Sequence, residues 1–356
     1  MSNIVWFSPL QDGCTPKEQA AAAKKVFDAA GAGKCIEAND FVAVKVHVGE
    51  KRNTTHLHPA VARAVVDKIK KCKGLPFLTE TSTLYKGQRE NAILHILHAY
   101  KHGFGFEQVG APFIMADGLA GNTEIEVPID GELNESVKIA REIRVADALM
   151  VISHPTGHMA TALGACIKNI GMGLASRMGK MRQHSSMKPR VIPGKCRNCG
   201  KCIQWCPGGY ISQQDGLVVI DEERCIGCGE CLAVCRFEAV EYNWGQDSEF
   251  IQKQMAEHAL GVITGREEKC FYINVLVNMT RDCDCMGKKQ EKLIPDVGII
   301  GSFDPVAVDK ATLDLTIQGS GGNLAEVSYK RLSGTIQLEH AVKLGMGSME
   351  YELKKI

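Results

Sequence analysis

No stretch of this 356-residue chain is apolar for long enough to cross a bilayer as a helix. The first ten residues, MSNIVWFSPL, carry neither the basic segment nor the long apolar run of a secretory leader. A cytoplasmic protein without a membrane span is therefore expected. Charge of one sign is missing too. The 42 Lys and Arg balance 41 Asp and Glu, and a net charge of +1 offers no field for nucleic acid or an anionic membrane. There is no Walker loop, no dinucleotide fingerprint and no low-complexity tract. Composition is otherwise ordinary, with 45% apolar and 23% charged residues.

Cysteine is what the chain has in excess, with 15 residues. Two runs, CRNCGKCIQWCP from Cys196 and CIGCGECLAVCR from Cys225, share the spacing C-x2-C-x2-C-x3-C. That is the bacterial ferredoxin pattern for a 4Fe-4S cubane, and two copies imply two cubanes. In this pattern three thiolates of a run hold one cluster and the fourth reaches to the other. Cys196, Cys199, Cys202 and Cys235 are thus expected on one cluster. Cys225, Cys228, Cys231 and Cys206 are expected on the second. Gly200, Gly227 and Gly229 lie between ligands, where the backbone must turn tightly. Pro207 follows the first run, whereas Arg236 follows the second and places a cation near a cluster, which would raise its potential. A zinc ribbon pair fits the x3 spacing poorly. A disulfide framework does not suit a chain without a leader. So many thiols point to a reducing interior and an anaerobic or microaerobic setting.

Outside these runs, short apolar segments alternate with helical ones. Strands are expected at 4–8, 41–48, 76–81, 111–117, 148–154, 270–279 and 297–302. Helices are expected at 16–31, 59–72, 89–102, 248–262 and 305–318. The pattern predicts an α/β fold, a mostly parallel sheet with helices on both faces, plus an inserted small α+β ferredoxin-type domain. The predicted organisation is 1–189 for the first part of the α/β domain, 190–243 for the insertion and 244–356 for the second part.

In such sheets ligands bind beyond the carboxyl ends of the strands. Six exits carry ionisable or metal-capable groups: Lys45 and His47 into Glu50, Glu80 to Ser82, Asp117, His154, Arg281 to Cys285, and Asp304. Their convergence on one pocket is expected. Three segments stand out. In HPTGH, a helix opening at Pro155 would put His154 and His158 on one face, suited to a metal pair, an anion at the helix start, or simple capping. KNIGMGLASRMGKMRQHS, from residue 168, mixes glycines with Lys168, Arg177, Lys180 and His184, either as a site for a small anion or as a solvated basic loop. In DCDC, an extended backbone would point Cys283 and Cys285 to one side, as a soft-metal chelate, a redox thiol pair, or two reduced surface thiols. Cys14, Cys35, Cys72, Cys166 and Cys270 read as core.

The chain resembles domain-of-unknown-function family 362, in the version carrying an inserted two-cluster ferredoxin. The matching features are KVHVGE at 45–50, SHPTGH at 153–158, KNIGMGLASRMGK at 168–180, QHS at 183–185, both cysteine runs, DCDC at 282–285 and SFDPVAVDKA at 302–311. The resemblance implies an iron–sulfur protein with an α/β partner domain and brings no substrate with it.

These features predict an iron–sulfur oxidoreductase. Electrons from a soluble redox partner would cross two clusters to a small anionic substrate, a second metal or a cofactor in the crevice. His154, His158 and His184 are candidate proton donors or ligands, and Lys168, Arg177 and Lys180 candidate anion anchors. A second metal would draw on His47, His154, His158, Cys283, Cys285 and Asp304, with Asp309 as a further ligand or orienting group. The alternative is a ferredoxin-like carrier without chemistry of its own, or a metallocofactor maturation protein. A metal site should gather His47, His154 and His184 within reach of one ion, and a docking module should leave them spread.

Overall fold

The computed structural model describes residues 3–184, 188–225, 230–241, 248–317 and 321–356. Eight of the apolar segments pair into one sheet: β1 (Ile4–Pro9), β2 (Phe41–Lys45), β3 (Leu75–Glu80), β4 (Phe113–Met115), β5 (Ala148–Ser153), β6 (Cys270–Leu276), β7 (Gly298–Ser302) and β8 (Glu352–Lys355). Their order is β8-β1-β7-β6-β5-β2-β3-β4. Every neighbouring pair is parallel except the two made by β7. Every residue of β5 and β6 is buried, as a continuous apolar run requires when both sheet faces are covered. At the edge, β8 is exposed throughout, and Glu352, Lys354 and Lys355 discourage pairing with another chain.

Seven helices matter for the site: α1 (Pro16–Ala30), α2 (Pro59–Lys71), α3 (Ala92–Lys101), α4 (Cys166–Gly171), α5 (Arg177–Gln183), α6 (Ser248–Ile263) and α7 (Pro305–Thr316). Local chemistry sets their ends. A capping box between Thr15 and Glu18 starts α1, and left-handed Gly31 ends it. Strand alternation sends Val42 and Val44 to one face, against α1 and α2, and Ala43 to the other, against α4, α6 and α7. Helices therefore cover both faces, as the sequence implied. No helix among the described residues is long and apolar enough to cross a membrane.

The described residues among 188–241, between α5 and α6, build something smaller. Arg190–Val191 pairs antiparallel with Val240–Glu241, so this segment leaves and returns at one place. A hairpin joins Ile211–Gln214 to Leu217–Ile220, with short helices at Lys201–Gln204 and Glu230–Val234. Its apolar side chains form their own cluster around Ile211, Val218, Ile220 and Val240. Cys228, Gly227, Gly229 and Ser185, and the boundary expected at 243/244, lie outside the described residues.

Four expectations are corrected. HPTGH opens no helix. Thr156–His158 is a strand, paired antiparallel with Ala162–Gly164, because the amide of Gly157 donates to the Thr280 carbonyl (2.9 Å) and extends the backbone. His154 and His158 thus share no helix face, and no helix start exists there for an anion. Asp304 does not join the crevice. β7 runs antiparallel, so its exit lies at the opposite edge of the sheet. There Asp304 caps α7 through the amides of Val306 and Ala307 (both 2.8 Å) and accepts from Ser348. Asp309 is likewise structural, buried and accepting from the amides of Cys166 and Ile167 and from Asn274 (2.8 Å each). DCDC folds as a turn rather than an extended segment.

Candidate functional site

Four parallel strands, β2, β3, β5 and β6, deliver their exits to one cavity of about 1270 Å³. It is lined by His47, Glu50 and Glu80 from two exits, by His154 and His158, and by Asp282 to Cys285. Lys168 of α4, Arg177 and Lys180 of α5 and His184 complete the protein wall beside the sheet. Leu232, Cys235 and Arg236 of the smaller segment also line the cavity. Asp117 at the fifth exit lies outside this lining and is held by the amide of Ser82 (2.7 Å).

One side of the floor is a buried charge network centred on Glu80. This carboxylate meets Lys45 (3.6 Å), Arg89 (3.5 Å), His95 (3.0 Å) and the amide of Val48 (3.0 Å). Burial pushes Glu80 up, but Lys45 and the neighbouring histidines outweigh it and hold the carboxyl well below its usual range. Burial pulls Lys45 down to about 8 against the pull of Glu80. Lys45 also donates to Asn169 (2.7 Å). His47 accepts from the Gly49 amide at Nδ1 (3.0 Å), its Nε2 lies 3.2 Å from the Arg89 guanidinium, and burial with that guanidinium keeps it well below its ordinary value. Lys180 is held inside by Thr81 and the Ala175 carbonyl (2.6 Å each), and burial pulls it down to about 7.

The other side gathers sulfur and imidazole. The ligand atoms of His158, Cys283 and Cys285 all lie within 4.8 Å of one another. Lys168 donates to the Cys283 sulfur (3.4 Å), as does the amide of Cys285 (3.4 Å). The hydrogen bond from Cys285 and the charge of Lys168 hold the Cys283 thiol below the usual range despite burial. Between the two cysteines, Asp284 turns to His154 (2.6 Å). The second ring nitrogen of His154 donates to the Val277 carbonyl (2.8 Å). Burial lowers this histidine, yet the Asp284 carboxylate outweighs it and the ring is held above its ordinary value. Burial and Lys168 leave His158 neutral. They also lower His184 to about 4.

The hairpin bearing His158 packs so tightly on the DCDC segment that a Cβ at Gly157 would overlap the Arg281 carbonyl and the Ser328 side chain. Gly157→Ala is expected to cost about 1–3 kcal/mol. Gly194→Ala, where a Cβ meets nothing within 4 Å, should stay within about 0.5 kcal/mol. Denaturant unfolding of the two variants checks this, and equal stabilities would contradict it.

In the smaller segment, Cys196, Cys199, Cys202 and Cys235 line one small cavity, together with Val218 and Val240. This is the set of thiols that the crossed spacing assigns to one cluster. Amides point at the sulfurs, from Asn198 to Cys196 (3.4 Å), from Tyr210 to Cys206 (3.2 Å) and from Ala239 to Cys235 (3.3 Å). Such donors suit anionic sulfur, so the donor set fits an iron–sulfur cluster. Gly200 takes the left-handed backbone expected of it, at φ 69°. The scattered Cys35, Cys166 and Cys270 are buried, and Cys14 and Cys72 are partly so.

Sequence reasoning missed Arg89, which bridges Glu50, Glu80 and His47 in the cavity wall. The pattern places it inside the helix expected at 89–102. The cap was legible: Asn91 accepts from the Leu94 amide (3.0 Å) and starts α3 at Ala92, leaving Arg89 in the loop. Tyr85, which accepts from Arg89 (2.5 Å), had no sequence signal.

Comparison with known proteins adds to this geometry. The chain is 34% identical over 80 residues to pyruvate synthase subunit PorD of Methanothermobacter marburgensis, covering 22% of this chain and 91% of PorD. It is 44% identical over 48 residues to the electron transport protein HydN of Escherichia coli, covering 13% of this chain and 27% of HydN. The chain spans less than two fifths of the length of HydN and of the dimethyl sulfoxide, selenate and nitrate reductase subunits it also matches. A solved protein from Thermotoga maritima is similar over 91% of this chain and 61% of its own, at a TM-score of 0.46 and 11% identity. The ferredoxin matches support a ferredoxin-like domain here. The family described as Domain of unknown function (DUF362) matches residues 42–314. That span takes in the exits of β2, β3, β5 and β6, the cavity they feed and the cysteine-rich segment that closes it, and with well over half of the sequence inside it this chain belongs to the DUF362 family.

Proposed function

We propose that this chain is an iron–sulfur electron-transfer protein whose residues 190–243 form an inserted ferredoxin-type domain serving an acceptor in the α/β cavity. Cys196, Cys199, Cys202 and Cys235 would hold one 4Fe-4S cluster, and Cys225, Cys228, Cys231 and Cys206 the other. The clusters, when bound, supply one-electron transfer. The observation that carries the reading is the position of Cys235. It lines both the small thiol cavity and the large cavity at the strand exits. One wall therefore separates the first cluster's ligands from whatever the large cavity holds. Arg236, next in the chain, lines the large cavity and adds a cation there.

Lys168 and Arg177 line the same cavity and offer charge to a small anionic acceptor. His184 lines the same space and supplies an imidazole that burial keeps neutral. A soluble redox partner in a reducing, oxygen-poor cytoplasm completes the reading. The similarity to PorD and HydN supports electron transfer by such a domain.

An anaerobic redox titration followed by electron paramagnetic resonance tests it. Uptake of about two electrons per chain, with cluster signals appearing on reduction, is expected. A protein with no reducible cluster signal would refute it.

A further inference from the structure

The cavity holds a second group of soft donors that the electron-transfer reading does not use. We propose that His158, Cys283 and Cys285 bind one thiophilic d-block cation, with a further coordination position open to the cavity. Electron transfer through the cysteine-rich segment would stand without this site, so the proposal goes beyond that reading.

Two separate elements build the site. The two cysteines sit on one turn after β6, and His158 sits on the Thr156–His158 hairpin after β5. The hydrogen bond from Gly157 to the Thr280 carbonyl (2.9 Å) ties hairpin to turn. Their ligand atoms already lie within 4.8 Å of one another. A tetrahedral ion with bonds of about 2.0–2.3 Å separates its donors by roughly 3.5 Å, a closure that small side-chain rotations supply. The Ala160 amide contacts Nδ1 of His158 at 3.2 Å, a long bond that such a rotation can give up.

The surroundings suit thiolate ligands. Lys168 and the Cys285 amide both donate to the Cys283 sulfur, the outer-shell support that metal thiolates attract. Asp284 is drawn off to His154, which leaves the two sulfurs and one imidazole as the inward donors. Two sulfurs with one nitrogen select zinc(II), copper(I) or iron(II) over magnesium or calcium. Three protein donors facing a large cavity match sites that keep a position for water or substrate, rather than closed structural sites. Binding would release the remaining thiol protons to solvent and form two metal–sulfur bonds and one metal–nitrogen bond, without any change of oxidation state.

The test uses anaerobically purified full-length protein, treated with a chelator, equilibrated with cobalt(II) alone and freed of excess ion. Uptake of about one cobalt per chain is expected, with tetrahedral thiolate bands in the difference spectrum that zinc(II) displaces. Cys283→Ser, Cys285→Ser and His158→Ala should each weaken uptake by more than about tenfold, with iron and sulfide unchanged. Zinc(II) should also protect Cys283 and Cys285 of the unaltered protein from alkylation, a readout that stands even where a variant fails to fold. Iron and sulfide report on the electron-transfer reading separately. Absence of cobalt uptake, uptake undiminished in the variants, or a Cys283–Cys285 disulfide that exchanges with thiols in place of metal binding would overturn the site.

Discussion

Glu80→Gln is expected to destabilise the protein by about 3 kcal/mol at neutral pH, because it leaves two buried cations short of their counter-charge. Lys45 and Arg89 lie 3.6 and 3.5 Å from the carboxylate, and the side chains of all three are at most 4% exposed. Glutamine keeps the shape and can still accept from the Val48 amide and His95, so the loss reports charge rather than packing. Arg89 retains Glu50 at 3.4 Å, which keeps the effect from growing larger. The sign of the pH dependence follows from the direction of the shift. The folded carboxyl titrates well below its ordinary 4.5. Its contribution is therefore full above that pH and is lost as acid takes the solution down through the depressed value, by up to about 1.4 kcal/mol per pH unit. Urea unfolding of both proteins at neutral pH and at several acidic values checks this. A deficit below about 1 kcal/mol at neutral pH, or one that grows in acid, would contradict the network.

Cysteine substitutions give the second large effect, in iron content. Cys235→Ala is expected to lower iron from about eight to about four per chain. The informative comparison is between double variants. Under crossed ligation, Cys196→Ala with Cys235→Ala removes two ligands of one cluster and should lose no more iron than either single change. Cys206→Ala with Cys235→Ala strikes both clusters and should lose nearly all of it. Ligation within each run gives a different pattern, since Cys196 and Cys235 would then belong to separate clusters and their double variant would lose both. The shared cavity lined by Cys196, Cys199, Cys202 and Cys235 favours the crossed arrangement.

Much of the fold could be read from the chain, for physical reasons. The strands at 148–153 and 270–276 are buried along their whole length, so they had to be continuous apolar runs. Helix α1 carried its start in Thr15, Pro16 and Glu18 and its end in Gly31. What pattern alone could not supply was direction. Gly298–Ser302 looks like its parallel neighbours in composition, yet it runs the other way, and that reversal took Asp304 out of the crevice. In HPTGH, Pro155 favours a helix start as much as an extended turn, and the choice was made by a carbonyl more than a hundred residues away, at Thr280.

The candidate site was legible as a set of residues and not as a geometry. His47, His154, His158, His184, Cys283 and Cys285 do line one cavity. The donors within reach of a single ion are different from the histidine trio the sequence suggested. His154 spends both ring nitrogens on Asp284 and Val277, and His47 faces Arg89, leaving His158 with the two sulfurs. Partners decide such roles, and partners from distant elements leave no trace in spacing.

Iron and acid-labile sulfide, counted per chain in protein purified without oxygen, bear most directly on the central claim. About eight of each is expected, four of each per cubane. Zinc in place of iron, with no sulfide, would make the two cysteine runs a metal-ribbon fold and remove the electron source from the cavity wall.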